Sequence, residues 1–283
     1  MTTFHFSQVD VFANGSLSGN PLAVVHSAIG LTDEQMQAFA RWTNLSETTF
    51  LLPPTTDTAD YRVRIFTTVG ELPFAGHPTL GSAHAWLAAG GTPRHRGVVI
   101  QECGLGEIPV TLSDDTLAFC APRLTRSGQL EQATLDQVLS SLGLDRRQVV
   151  GSNWVSNGPQ WIGVLLHSAQ DVLDLKPDFT VMGDLKVCVI GPHGKGSPER
   201  KAGIDFEVRA FVPGAGINED PVTGSANAGL ARWLIPSGKL PQSYTARQGT
   251  QVGADGRVKV ECAQGQIWIG GSVRTIITGT VDL

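Results

Sequence analysis

The sequence has little that a membrane, a metal centre or a nucleic acid could use. No apolar run approaches the ~20 residues that cross a bilayer. The opening MTTFHFSQVDVF has no basic stretch followed by an apolar one, so a secretory signal is not expected. Cysteine is scarce: Cys103, Cys120, Cys188 and Cys262 lie far apart and form no CxxC pair. That spacing speaks against a zinc knuckle or a redox disulfide and suits a reducing compartment. Runs of like charge are missing and the net charge is only -5, so no nucleic-acid face is expected. Gly214-Ala215-Gly216 does not extend to GxGxxG, Gly194-Lys195-Gly196-Ser197 lacks the first glycine of a P-loop, and no G-x-S-x-G occurs. His77 and His84 have no third ligand nearby. The expectation is a cytoplasmic protein that uses neither a metal nor an organic cofactor.

What is present fits a globular enzyme. The 283 residues are 41% apolar and 17% charged, with 33 Gly and 16 Pro, which leaves room for one large domain or two ordinary ones and calls for many turns. Residues 4–12 and Leu22–Val25 read as strands around the turn Ser18-Gly19-Asn20-Pro21. Thr32-Asp33-Glu34-Gln35 is a capping box, followed by Met36, Phe39, Ala40 and Trp42 at near-helical spacing. That helix should end near Asn44, before the short strand Phe50-Leu51-Leu52. Tyr61–Phe66 alternates as a strand, and an Ala-rich helix is expected over Thr79–Ala89. The second half repeats the order: a helix over Thr134–Leu142, strands over Trp161–Leu166 and Ile204–Phe211, and a small-residue helix over Ser225–Leu234. Strands are expected over 244–247, 250–253, 257–262 and 266–269, and the chain should close with Arg274–Val281. Helices so rich in Ala, Gly and Ser suit the inside of a curled sheet.

Self-similarity is the most informative signal. Glu71-Leu72-Pro73-Phe74-Ala75-Gly76-His77 and Glu219-Asp220-Pro221-Val222-Thr223-Gly224-Ser225 share E-x-P-x-x-G, 148 residues apart. Arg64-Ile65-Phe66 and Arg209-Ala210-Phe211 match as R-x-F, 145 apart, as do Gly104 and Gly249. Each copy is strand, loop, glycine, helix, which points to a duplication with two helix N-termini facing one cleft. A helix start offers free N–H groups and partial positive charge, hence a site for a small anion. Gly76 and Gly224 would let a ligand approach the backbone, although tight turns alone also use glycine.

Glu47 sits in the polar break Asn44-Leu45-Ser46-Glu47-Thr48-Thr49, just before an apolar strand. A carboxyl in such a place is a candidate general acid/base, with a helix-end carboxylate making local hydrogen bonds as the ordinary alternative. His77 and Asp220 each belong to one repeated loop, and Ser225 follows Gly224 as His77 follows Gly76.

These residues also carry a resemblance. Ser18-Gly19-Asn20-Pro21, Asn44-Leu45-Ser46-Glu47-Thr48-Thr49-Phe50, Arg64-Ile65-Phe66-Thr67, Glu71-Leu72-Pro73-Phe74-Ala75-Gly76-His77-Pro78-Thr79, Asn157-Gly158-Pro159 and Glu219-Asp220-Pro221-Val222-Thr223-Gly224-Ser225-Ala226 run in order along nearly the whole chain. Together they resemble the phenazine-biosynthesis PhzF-like family. The resemblance implies the α+β fold of diaminopimelate epimerase: two pseudo-symmetric domains, each a curled, mostly antiparallel sheet around a central helix. The domains are expected as 1–118 with 272–283, and 119–271. It implies Glu47 as the catalytic acid/base, assisted by His77 and Asp220, with Gly76, Gly224, Ser225, Asn20 and Ser46 binding substrate. Epimerases of this fold carry a cysteine at each helix start; here those places hold Gly-His and Gly-Ser, which disfavours a two-thiol racemisation. The expected protein is a homodimeric, cofactor-independent isomerase of a small anionic amino- or hydroxy-carboxylate. The alternatives are a racemase or epimerase without cysteines, or a non-catalytic binding protein of the same fold.

Overall fold

The capping box forms: Gln35 N–H donates to Thr32 Oγ1 at 3.3 Å, and Thr32 N–H donates to Gln35 Oε1 at 2.9 Å. The helix stops where Asn44 turns left-handed at φ 53, a conformation asparagine tolerates. Met36, Phe39 and Ala40 are buried beneath it, whereas Trp42 is 81% exposed. Trp42 stacks on Phe39 with ring centroids 6.1 Å apart, so helical spacing puts it beside the apolar face and not on it.

The computed structural model describes residues 2–113, 115–215 and 217–283. Gly216, the last residue of Gly214-Ala215-Gly216, lies outside them. The chain folds into two compact units, Met1–Cys120 with Gly270–Leu283, and Ala121–Ile269. The first unit runs β1 (Thr3–Val11), β2 (Asn20–Val25), α1 (Asp33–Thr43), β3 (Thr48–Leu52), β4 (Tyr61–Phe66), β5 (Glu71–Leu72), α2 (Gly76–Ala88), β6 (Val98–Cys103), β7 (Gly106–Ser113) and β8 (Thr116–Cys120). Next come β9 (Arg126–Gly128), α3 (Gln132–Leu142), β10 (Val149–Ser156), β11 (Trp161–Leu166), α4 (Ala169–Leu173), α5 (Phe179–Met182), β12 (Lys186–Pro192), α6 (Pro198–Lys201) and β13 (Phe206–Phe211). The rest are β14 (Glu219–Asp220), α7 (Gly224–Leu234), β15 (Ser243–Gln248), β16 (Gly256–Ala263), β17 (Gln266–Gly271) and β18 (Val273–Asp282). The closing strand β18 lies antiparallel on β1, from Thr3 opposite Asp282 to Val11 opposite Val273.

The duplication is visible in the pairings. In the first unit β1–β2 is antiparallel, β2–β3 parallel, β3–β4 and β4–β5 antiparallel, β4–β6 parallel and β6–β7 antiparallel. In the second, β10–β11, β11–β12, β12–β13, β13–β14, β13–β15 and β15–β16 follow the same sequence of directions. The short strand and the small-residue helix hold the same place in both. The sheets are mixed and mostly antiparallel, giving an α+β fold.

Small residues explain the central helices. The helix α2 touches β1, β2, β3, β6, β7, β8 and β18. A Cβ on Gly81 would lie 2.5 Å from Leu22 Cδ2, and one on Gly229 in α7 would lie 2.5 Å from the Val155 carbonyl oxygen. Only glycine fits strands this close. The paired glycines after the helices have a shared task as well. A Cβ on Gly104 would meet Pro73 Cα at 2.9 Å, and one on Gly249 would meet the Pro221 oxygen at 2.5 Å. Each therefore packs against the proline of its own repeated loop. The expected strand over 250–253 does not form: Thr250–Val252 is a 3-10 turn between Gly249 (φ 96) and Gly253 (φ 80), and two left-handed residues break an extended run. Among the described residues no helix is long and apolar enough to cross a membrane.

Candidate active site

The repeated Arg and Glu are partners. In the first unit Arg64 Nε and Nη2 donate to the two Glu71 carboxylate oxygens at 2.8 and 2.6 Å. In the second, Arg209 Nε and Nη2 donate to those of Glu219 at 3.0 and 2.7 Å. Each guanidinium also lies over the phenylalanine of its R-x-F, Phe66 at 5.1 Å and Phe211 at 4.9 Å. The motif is thus a clamp that closes the β4–β5 and β13–β14 hairpins and aims the following loop into a helix.

Both helix starts lack a side-chain cap. Ala75 precedes α2 and Thr223 precedes α7, neither capping through its side chain. Geometry leaves the first N–H groups of a helix without an intrahelical acceptor. At α2 these are Gly76 and His77, since Pro78 has none and Thr79 N–H reaches the Ala75 oxygen at 3.1 Å. Gly76 and Gly224 are both buried.

In the first unit the expected residues come together. Asn20 opens β2, held by a buried Asp10 whose two oxygens accept from the Ser18 and Gly19 amides at 2.9 Å each. Gly19 is required there, because a Cβ would collide with the Val11 carbonyl oxygen. Asn20 Nδ2 donates to His77 Nδ1 at 3.5 Å, which assigns the ring proton to Nε2, and Nε2 faces Glu47 Oε2 at 3.4 Å. The Glu47 side chain is 15% exposed, neither in open solvent nor sealed. Ser46 is half-buried next to it in the same break. In the second unit Asp220 and Gly224 are buried, and Ser225 is half-buried at the start of α7. Thr223 Oγ1 donates to Asp220 Oδ2 at 2.5 Å, Trp161 Nε1 donates to Ser225 Oγ at 3.0 Å, and Asn157 Nδ2 donates to the Ser225 oxygen at 2.8 Å. Indole nitrogen only donates, so the Ser225 hydroxyl keeps its own proton to give elsewhere.

His77 is a neutral imidazole. Burial pushes its imidazole down to about 3, since the charged form would be stripped of water. In the unfolded chain a histidine titrates near ~6.5. Between those values the unfolded chain binds more protons, so this contribution to stability is complete above about pH 6.5 and is lost as pH falls towards about 3. Urea titrations at about pH 7 and about pH 4.5 should show stability falling by up to ~1.4 kcal/mol per pH unit more in the wild type than in His77→Asn. Equal slopes would show that the imidazole protonates in place.

The cysteines stand apart from this chemistry. Burial raises the Cys103 and Cys188 thiols, and they donate to the Gly106 and Ile162 carbonyl oxygens as core residues do. The roles of Trp161, Thr223 and Gln248 escaped sequence reasoning. For Gln248 a weak signal exists, because Gln101 lies on the matching strand β6, two residues before the position that corresponds to Gln248.

The PhzC-PhzF family model, described as phenazine biosynthesis-like protein, matches residues 9–280. The chain is 36% identical to antisense-enhancing sequence 1 of Schizosaccharomyces pombe, with 99% of both chains covered. It is 34% identical to the trans-2,3-dihydro-3-hydroxyanthranilate isomerase of Pseudomonas aeruginosa, covering 88% of this chain and 87% of that one. The crystal structure of the Bacillus anthracis phenazine biosynthesis protein, PhzF family, shares the fold with a TM-score of 0.81 at 23% identity, covering 100% of both chains.

Proposed function

The chain belongs to the PhzC-PhzF family of phenazine biosynthesis-like proteins and is an isomerase by class; within that class we propose that Glu47 moves a proton on a small cyclic amino- or hydroxy-carboxylate without a cofactor. The observation that carries the reading is the grouping of Asn20, His77 and Glu47, with His77 Nε2 lying 3.4 Å from a carboxylate oxygen of the partly exposed Glu47 side chain. A neutral imidazole donor steadies a carboxylate without adding charge, and contacts of this kind often shorten once substrate is bound. In the proposed step Glu47 Oε takes a proton from one ring carbon. The C–H electron pair shifts the neighbouring double bond, and the same carboxyl returns the proton at the far carbon, so the composition of the substrate is unchanged. In the second unit Asp220, Gly224 and Ser225 are assigned substrate-binding roles: Ser225 as a hydroxyl donor to a carboxylate beside Gly224 and the α7 amides, Asp220 as a negative partner for an amino or hydroxyl group.

The test is NMR in deuterium oxide on ligands found by thermal shift, with trans-2,3-dihydro-3-hydroxyanthranilate, the substrate named for the Pseudomonas aeruginosa relative, as the first compound. Deuterium on a ring carbon with a moved double bond is the expected result. Label at an inverted Cα would make the protein a racemase, and binding with no label would make it a binding protein. The homodimer is part of the proposal, with the exposed Trp42, Ile276 and Ile277 as the apolar side chains such a contact would cover. Light scattering should give twice the chain mass.

A further inference from the structure

One side chain fixes the turn that leads into α7. Gln248, the last residue of β15, is fully buried. Its Oε1 accepts from Thr223 N–H at 3.1 Å and from Asn227 Nδ2 at 2.9 Å. Its Nε2 donates to the Asp220 carbonyl at 3.1 Å and to Thr223 Oγ1 at 2.9 Å. The main chain dictates which way round this amide lies, because an N–H can only give and a C=O can only take. Thr223 Oγ1 therefore accepts a hydrogen bond from Gln248 Nε2. Its own single proton goes to Asp220 Oδ2, 2.5 Å away. The chain of donors ends on that carboxyl oxygen, which is left as an acceptor.

The first unit holds a related glutamine brace, two residues earlier on its strand. Gln101, also fully buried, accepts from Tyr61 Oη at 2.9 Å and donates from Nε2 to Thr79 Oγ1 at 3.0 Å. Thr79 Oγ1 donates to the Ala75 carbonyl oxygen at 2.9 Å. Its counterpart in the second unit joins Gln248 to Asn227, whose Nδ2 donates to the Thr223 carbonyl oxygen at 2.9 Å; both lines stop on main chain and can only brace a helix. The branch through Thr223 Oγ1 stops instead on a group that titrates.

We infer that Gln248, acting through Thr223, holds Asp220 as the ionised carboxylate, so that Asp220 orients and compensates charge in the reaction and does not supply a proton. Gln248 and Thr223 are thus positioning residues. The inference rests on the reading of Asp220 as a site residue, but its readout does not. A hydrogen bond to the charged form lowers a carboxyl's titration point, and losing it raises that point. The charges on the adjoining strands are paired with one another, Arg209 with Glu219 and Arg247 with Glu207, so the same variants leave them in place.

The experiment follows the Asp220 carboxyl by 13C NMR in substrate-free protein labelled at aspartate Cγ, with the resonance assigned through Asp220→Asn. Thr223→Val should raise its midpoint by about one pH unit or more, Thr223→Ser should restore it, and Gln248→Met should give part of the rise. Gln101→Met should leave it unmoved while lowering stability. An unmoved Asp220 midpoint in both Thr223→Val and Gln248→Met, with circular dichroism unchanged, would overturn the inference. Midpoints that shift while turnover stays at the wild-type rate would uphold the relay and remove Asp220 from the proposed reaction instead.

Discussion

Replacing Glu47 by Gln should lower turnover by about a thousandfold while leaving the fold intact. Gln keeps the length and one oxygen acceptor, so a polar oxygen stays beside His77 Nε2, which lies 3.4 Å from Glu47 Oε2. What is lost is the only property the reaction needs: an amide takes no proton from carbon. A positioned acid/base accounts for roughly 10²–10⁴ in rate, and here one carboxyl would serve both halves of the transfer, which places the loss in the upper part of that range. Because the variant keeps shape and polarity, substrate binding should change little, so the loss falls on kcat and not on KM. Glu47→Asp offers a second reading, since a base withdrawn by about 1 Å can lose on the order of a hundredfold. Deuterium wash-in and the melting temperature would be measured together on each variant. If Glu47→Gln kept activity within about threefold of the wild type at an unchanged melting temperature, Glu47 would have no part in the proton transfer.

The sequence made some of this site readable because the motifs carry their own geometry. E-x-P-x-x-G occurs twice, each copy opens a small-residue helix, and the two units show the same order of strand directions. The capping box and the Asn44 stop are equally local and formed where expected. What stayed hidden depends on contacts across the chain. Arg64 and Glu71 are seven residues apart but Arg209 and Glu219 are ten, so unequal loops disguise one clamp as two unrelated motifs. Asn20 and His77 are separated by 57 residues, and Trp161 and Ser225 by 64; nothing in their local sequence announces a partner. Trp42 follows Met36, Phe39 and Ala40 in an apolar series yet stands in solvent, because near-helical spacing is loose enough to include a residue at the edge of the buried face.

The clamps give the second large effect, and its size should differ sharply between the units. Arg209 and Glu219 side chains are each only 6% exposed. Arg209 Nη1 also donates to the Leu175 and Val172 carbonyl oxygens at 2.8 and 3.3 Å. Changing Arg209 to Met strands a carboxylate and two carbonyls away from water, a loss of ~3–5 kcal/mol. The same change at Arg64 meets a pair that is 19% and 41% exposed; water replaces what is lost, and the cost should be about 1 kcal/mol or less. Urea unfolding of the two variants, read through tryptophan fluorescence and far-ultraviolet circular dichroism, separates the cases. Removing Glu219 as well, in Arg209→Met/Glu219→Met, should recover part of the stability, because the stranded charge and not the missing attraction is the larger penalty. Turnover of Arg209→Met should fall even below its unfolding midpoint, since Glu219 adjoins Asp220 and the hairpin it closes delivers the chain to Gly224. Equal losses at Arg64 and Arg209 would mean that burial does not set the strength of this clamp, and no recovery in the double variant would mean that Arg209 acts through its contacts with the two carbonyls alone.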